Sequence, residues 1–129
     1  MTGNLELSEV LGLAHALVAA FTRGNTAEYF AGFDASATFV FDFEQSIQTR
    51  AEYERSWQEY GAEVVSCESS NEQVRLLGTT ALFLHDVRTV LVEDGVNVCH
   101  FQRETIVFAR TSSGGVNAVH EHVSSLSAA

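Results

Sequence analysis

Apolar residues recur at Val10, Leu11, Ala14, Leu17, Val18 and Phe21 in the stretch LSEVLGLAHALVAAFTRGN, the three-and-four spacing of one helical face. The spacing predicts a helix with Ser8 as its N-cap and Gly24-Asn25 as its stop. A short second helix is expected over TAEYFAGF. ATFVFDF then switches to alternation, with Phe39, Phe41 and Phe43 on one face of a strand and Thr38, Val40 and Asp42 on the other. Helical spacing returns in TRAEYERSWQEYG, where Thr49 and Glu52 have the three-residue offset of a capping box. Tyr53, Trp57 and Tyr60 share one side of that helix and read as a core face rather than an aromatic ligand cage.

Beyond Gly61 the pattern becomes that of strands, over residues 64–77, 81–92, 96–110 and 116–124, separated by LLGTT, EDGV and TSSGG. Asp94-Gly95 is the residue pair of a type I′ hairpin turn. Helices first and a long meander afterwards predict an α+β domain over residues 1–129, with about three N-terminal helices packed on one face of a strongly curved antiparallel sheet. The tails, MTGN and SLSAA, are expected to fray.

Composition narrows the function classes. Seven basic against 17 acidic residues give a net charge of −10, which repels phosphate backbones and anionic membrane surfaces. No nucleic-acid partner is expected. No apolar run reaches the roughly 18–20 residues that span a bilayer, and the first residues lack the basic start of a secretion signal. A cytoplasmic protein with no membrane partner is the expectation. Cys67 and Cys99 form no CxxC and read as two reduced, partly buried thiols. There is no proline, so Gly, Asn/Asp and Ser/Thr must make every turn.

Strand registers bring the polar residues together. A two-residue turn at Asp94-Gly95 pairs Glu93 with Val96 and sets His85 opposite Glu104. A TSSGG loop pairs Arg110 with Val116, which sets Glu104 opposite His122 and Ile106 opposite His120. The expected result is a row of His85, Glu104 and His122 across three strands on one face, with Asp86 beside Arg103 on the other. A one-residue slip dissolves both rows.

The element order, with FTRGN and YFAGFDASATFVFDF early and RETIVFARTSSGGVNAVHEHVS late, resembles the NTF2-like superfamily over nearly the whole chain. SnoaL-like proteins and the association domain of calcium/calmodulin-dependent protein kinase look nearest. Their ending of Glu-Thr-x-Val-aromatic, a turn, Trp, then Val-His-x-His-x-Ser corresponds to Glu104, Thr105, Val107 and Phe108, then Val119, His120, His122 and Ser124, with Val116 near the place of the absent tryptophan. The resemblance implies a cone-like fold, a pocket in the concavity and a homodimer. Ile106 stands where the kinase domain has a pocket arginine. Leu17 and Phe41 stand where ketosteroid isomerases carry their oxyanion tyrosine and general-base aspartate. The resemblance therefore implies neither the anion site nor that isomerase chemistry.

The candidate catalytic residues are Glu104, His122 and His85, in a pocket lined by Leu17, Phe39, Phe41, Trp57, Ile106 and His120. Burial raises a carboxyl pKa and a neighbouring imidazolium lowers it, so such a group of residues can divide acid and base roles near neutral pH. Isomerisation or cyclisation of a small organic molecule suits it, with no cofactor. The competing readings are a polar network that merely satisfies buried groups, in a ligand-binding or assembly module, and a metal site on His120, His122 and His85 or Glu104. His-x-His is common by chance and nothing else has metal-ligand spacing, so no metal is expected. Asp86, Arg88 and Arg103 suggest the Asp-Arg-Asp water site of epoxide hydrolases but run in reverse strand order, so a salt bridge is expected there. Leu82, Leu84, Val90, Val107, Val119 and Val123 are the expected convex dimer face.

Overall fold

A computed structural model describes residues 3–126. Among the described residues the chain forms α1 (Leu7–Thr22), α2 (Thr26–Ala31), β1 (Phe33–Phe41), β2 (Glu44–Thr49), α3 (Arg50–Tyr60), β3 (Glu63–Leu77), β4 (Thr80–Glu93), β5 (Val96–Arg110) and β6 (Val116–Ser125). This is the expected α+β cone: three helices on one face of an open six-stranded sheet ordered β2-β1-β6-β5-β4-β3.

Local chemistry accounts for most element ends. Thr49 and Glu52 cap α3 reciprocally, at 2.9 and 3.2 Å. Gly24, at a positive φ of 69°, ends α1, and Asn25 caps α2 by accepting from the Glu28 N–H. Asp94 and Gly95 both adopt positive φ, as a type I′ turn demands, and β4 and β5 pair in unbroken register from that turn outward. Ser8 is not the cap of α1; the helix starts one residue before it, at Leu7, and Glu6 is the cap without a side-chain hydrogen bond. The inner parts of the two tails are tied down: Arg110 Nε donates to Gly3 O at 2.8 Å and Leu126 N–H to Phe101 O at 2.9 Å. The expected fraying of the first two and last three residues lies outside the described residues.

Two features were not anticipated. Glu44 opens a short edge strand, β2, which no alternation of apolar residues announces. β1 pairs with β6 in parallel, whereas the other neighbouring strands are antiparallel. The hairpin rule fixes only strands joined by tight turns, and most of the chain separates these two.

The core lies between helices and sheet. Phe30, Phe33 and Phe39 are completely enclosed, with Phe39 packed at 4.8 Å from Tyr53 and 4.9 Å from Phe33, and Phe30 at 5.3 Å from Tyr53. α1 packs along β3 and β4, and α3 crosses β1. Between helices and sheet, with Tyr60 of α3 in its lining, lies a cavity of about 600 Å³.

Two irregularities decide which side chains face it. In β3, Asn71 and Glu72 stand together opposite the single residue His85, with Asn71 at a positive φ of 52°. In β6, Val119 is an extra residue: Ala118 pairs with Phe108 and His120 with Val107. Two residues apart, Ala118 and His120 therefore face opposite sides of the sheet.

Candidate functional site

The cavity wall comes from every layer of the fold. Leu17 and Phe21 of α1, Tyr29 of α2, Phe41 of β1 and Trp57 of α3 meet the sheet residues Val87, Ile106 and Val123. Phe21 and Trp57 pack at 5.7 Å, and Phe41 stacks on Phe43 at 5.1 Å with their planes only 4° apart. Phe43 and Tyr60 stand at the open end, 73% and 81% exposed. The rim is polar: Asp42 accepts from Gln102 at 3.2 Å and from Ser125, and His100 pairs with Glu93 at 2.7 Å.

Two carboxyl groups face this mostly apolar space, Glu104 from β5 and Glu121 from β6. Glu104 Oε1 lies 2.7 Å from His85 Nε2. The His85 ring is enclosed behind Glu104, 1% exposed, and packs on Phe83 at 4.7 Å. Its Nδ1 is 2.6 Å from Ser69 Oγ. Glu121 is 2% exposed, and the Tyr29 hydroxyl donates to its Oε1 at 2.7 Å. Burial, and then the nearby Glu104 carboxyl, raise the Glu121 pKa well above the ordinary carboxyl range. Burial and then the Glu121 charge likewise raise the Tyr29 hydroxyl, while Tyr53 is raised by burial and by both carboxyls. The Cys67 thiol on the same wall is pushed up chiefly by burial.

The structure separates the expected site residues into two groups. Glu104, Leu17, Phe41, Trp57 and Ile106 line the cavity, and His85 reaches it through Glu104. His122 and His120 do not. The Val119 bulge shifts β6 by one residue, so Thr105 rather than Glu104 is opposite His122, and Val107 rather than Ile106 is opposite His120. Both imidazoles lie on the outer face, 6.3 Å apart at their centroids, with His120 Nδ1 2.7 Å from Thr38 Oγ1. Burial, then the neighbouring His122, lowers the His120 pKa. Phe39 is one layer too deep, sealed beneath Tyr53 and Phe33. Val123, expected on the convex face, turns inward by the same shift.

Glu121 and Tyr29 escaped the sequence reading. The signal was present in the intervening acidic residue of HEH, but it surfaces only when the bulge is known. The Asp86–Arg103 pair forms on the outer face as its register requires, with Arg103 Nε 2.7 Å from Asp86 Oδ1. The hydrogen bond from Arg103 holds the Asp86 carboxyl below its ordinary value. Cys67 is half-buried and Cys99 exposed, both unpaired. Among the described residues, no three His, Cys, Asp or Glu side chains are grouped to hold a metal ion, and no helix is long and apolar enough to cross a membrane.

Comparison with known proteins places the architecture. A family described as the SnoaL-like domain matches residues 10–128. No curated protein matches the sequence. Among solved structures, an NTF2-like protein of unknown function in nutrient uptake from Rhodospirillum rubrum superposes with a TM-score of 0.81 at 19% identity, over 92% of this chain and 98% of that one. A putative calcium/calmodulin dependent protein kinase II association domain from Xanthomonas campestris gives 0.80 at 17% identity, over 100% and 94%. A ketosteroid isomerase-like protein from Erwinia carotovora atroseptica gives 0.78 at 15% identity, over 95% and 97%.

Proposed function

This chain belongs to the SnoaL-like domain family, and we propose that its cavity binds a small, weakly polar carbonyl compound and catalyses proton transfer on it without a cofactor. The family's fold hosts both catalytic and non-catalytic proteins, so the reading has to come from the site. One observation carries it: two carboxyl groups with different partners face one apolar cavity, Glu121 against Tyr29 and Glu104 against His85. Glu121, held neutral by burial, donates its hydrogen to the carbonyl oxygen as negative charge develops there. Glu104 takes the proton from the adjacent carbon, with His85 bracing it from behind. Leu17, Phe41, Trp57 and Ile106 supply apolar contact and keep water from the reacting carbon. This assignment replaces His122 with Glu121 in the catalytic group.

The protein acts as a homodimer in the cytoplasm, where Cys67 and Cys99 stay reduced. The half-buried Leu82, Leu84, Val90 and Val107 of the outer face supply the dimer contact. Sedimentation tests this half of the proposal, and a strictly monomeric species at micromolar concentration overturns it.

The test of catalysis uses the only tryptophan as a reporter, since Trp57 lines the cavity. A panel of cyclic and linear ketones and enones is titrated against its emission, and each binder is then incubated in D₂O. Deuterium entering next to the carbonyl, at a rate lowered at least about 100-fold in Glu104→Gln, is the expected result. Binding without any exchange rejects turnover and leaves a non-catalytic module, the reading favoured by the fold's likeness to an association domain.

A further inference from the structure

Glu104 is connected to bulk water by a route that does not pass through the cavity mouth. His85 Nε2 is 2.7 Å from Glu104 Oε1, and His85 Nδ1 is 2.6 Å from Ser69 Oγ. Ser69 Oγ donates to Glu72 Oε2 at 2.7 Å, and Glu72 Oε1 is 2.8 Å from His15 Nε2. The inner end is sealed, with the His85 side chain 0% exposed; the outer end is wet, with that of His15 54% exposed. The chain crosses from β5 through β4 and β3 to α1. We infer that Ser69, Glu72 and His15 are positioning residues that form a proton relay between solvent and Glu104. The relay rests on the reading of Glu104 as the base, but its construction can be judged without any substrate.

Hydrogen counting gives the relay a direction. Ser69 has one hydroxyl hydrogen, and pointing it at His85 would leave two bare oxygens facing each other across the Ser69–Glu72 contact. The hydrogen bond from His15 holds Glu72 below the ordinary carboxyl range, so Glu72 accepts. Ser69 therefore donates outward and accepts from a hydrogen on His85 Nδ1. The second ring nitrogen of a neutral imidazole is then bare, so the short contact to Glu104 contains one further hydrogen shared by Nε2 and the carboxylate.

Transfer outward is a set of single shifts. The shared hydrogen settles on Nε2, the Nδ1 hydrogen moves to Ser69 Oγ, and the Ser69 hydrogen moves to Glu72. Each intermediate group gains one proton and loses one, and the sum is one proton moved from Glu104 to Glu72, whose partly exposed carboxyl, oriented by His15, releases it to water. The reverse sequence loads Glu104. The β3 bulge makes this geometry: placing both Asn71 and Glu72 opposite His85 returns the Glu72 carboxyl to within reach of Ser69. Other charged or titratable groups near the pair are Asp86 beside His85, and Glu121, Tyr29, Tyr53 and Cys67 near Glu104.

The experiment is ¹⁵N NMR of histidine-labelled full-length protein, without ligand, for wild type, Ser69→Ala, Ser69→Thr and Glu72→Gln. In wild type His85 Nδ1 is expected to have the shift of a protonated nitrogen. In Ser69→Ala the hydrogen leaves Nδ1 and a single Nε2–H facing Glu104 remains, whereas Ser69→Thr keeps the wild-type pattern. Glu72→Gln is expected to slow exchange of the His85 ring hydrogen with water at least fivefold. A wild-type ring protonated at Nε2 alone, or ring shifts and exchange unchanged in Ser69→Ala and Glu72→Gln, overturns the relay. Loss of carbonyl exchange in Glu104→Gln is a separate result; its absence rejects Glu104 as base and leaves the protonation pattern of the His85 ring unaffected.

Discussion

The Tyr29 hydroxyl sits 2.7 and 3.1 Å from the two oxygens of Glu121, joining residues 92 positions apart at the inner wall of the cavity. The hydrogen bond alone lowers a carboxyl pKa, yet burial and the proximity of Glu104 outweigh it and hold the carboxyl well above its ordinary range. A group whose folded pKa lies above its unfolded one costs nothing while both states hold the proton. As pH climbs past the ordinary value of 4.5, only the unfolded chain releases it.

Stability contributed at Glu121 is therefore present below about pH 4 and lost as pH rises toward the folded pKa, at about 1.4 kcal/mol per pH unit. Glu121→Gln keeps a neutral side chain of the same shape and removes that slope. Urea unfolding of the two proteins from pH 4 to 8 is expected to give equal stabilities at the acid end and a growing advantage for the variant above it. Parallel curves across the range contradict a neutral Glu121.

The two histidines first grouped with Glu104 are now separable by mutation. His85→Ala opens a hole under Phe83 and strips Glu104 of its partner, which is expected to cost about 2–4 kcal/mol. His122 is exposed on the outer face, and His122→Ala is expected to change stability by less than about 0.5 kcal/mol and cavity binding by less than twofold. Thermal unfolding and the Trp57 titration check both.

Gly61 ends α3 against the face of Trp57; a side-chain carbon there would collide with the Trp57 ring and its carbonyl oxygen. Gly61→Ala is expected to cost about 1–3 kcal/mol and to move the indole toward the cavity mouth. Red-shifted emission and weaker ligand binding, read together, are the signature.

Much of the fold is legible in short stretches of the chain. Asp94-Gly95 determines the turn, the turn determines the β4–β5 register, and His85 opposite Glu104 follows with Asp86 opposite Arg103. Thr49 and Glu52 likewise announce α3. Local chemistry fails where the decisive contact is remote. Nothing near Glu44 signals an edge strand paired with β1, and nothing near Phe33 signals a parallel partner far along the chain, at Ala118. The cavity's apolar walls were legible through periodicity, but its second acid was not. Strict alternation puts His120 and His122 on one face and Glu121 on the other, and Val119 reverses which face is inside.

That reversal gives β6 a double meaning. Its last residues spell two interiors, one acidic and one with paired imidazoles, and whether Val119 bulges out of the ladder or takes a place in it chooses between them. Removing Val119 alone would leave Ala118 on Phe108 and His120 on Val107 as plain neighbours and keep Glu121 inside, whereas drawing Val119 into the ladder would exchange that carboxyl for the rings of His120 and His122 against the same apolar wall. An acid-lined chamber and one lined by imidazoles therefore differ by the packing of one bulge rather than by any change of side chain.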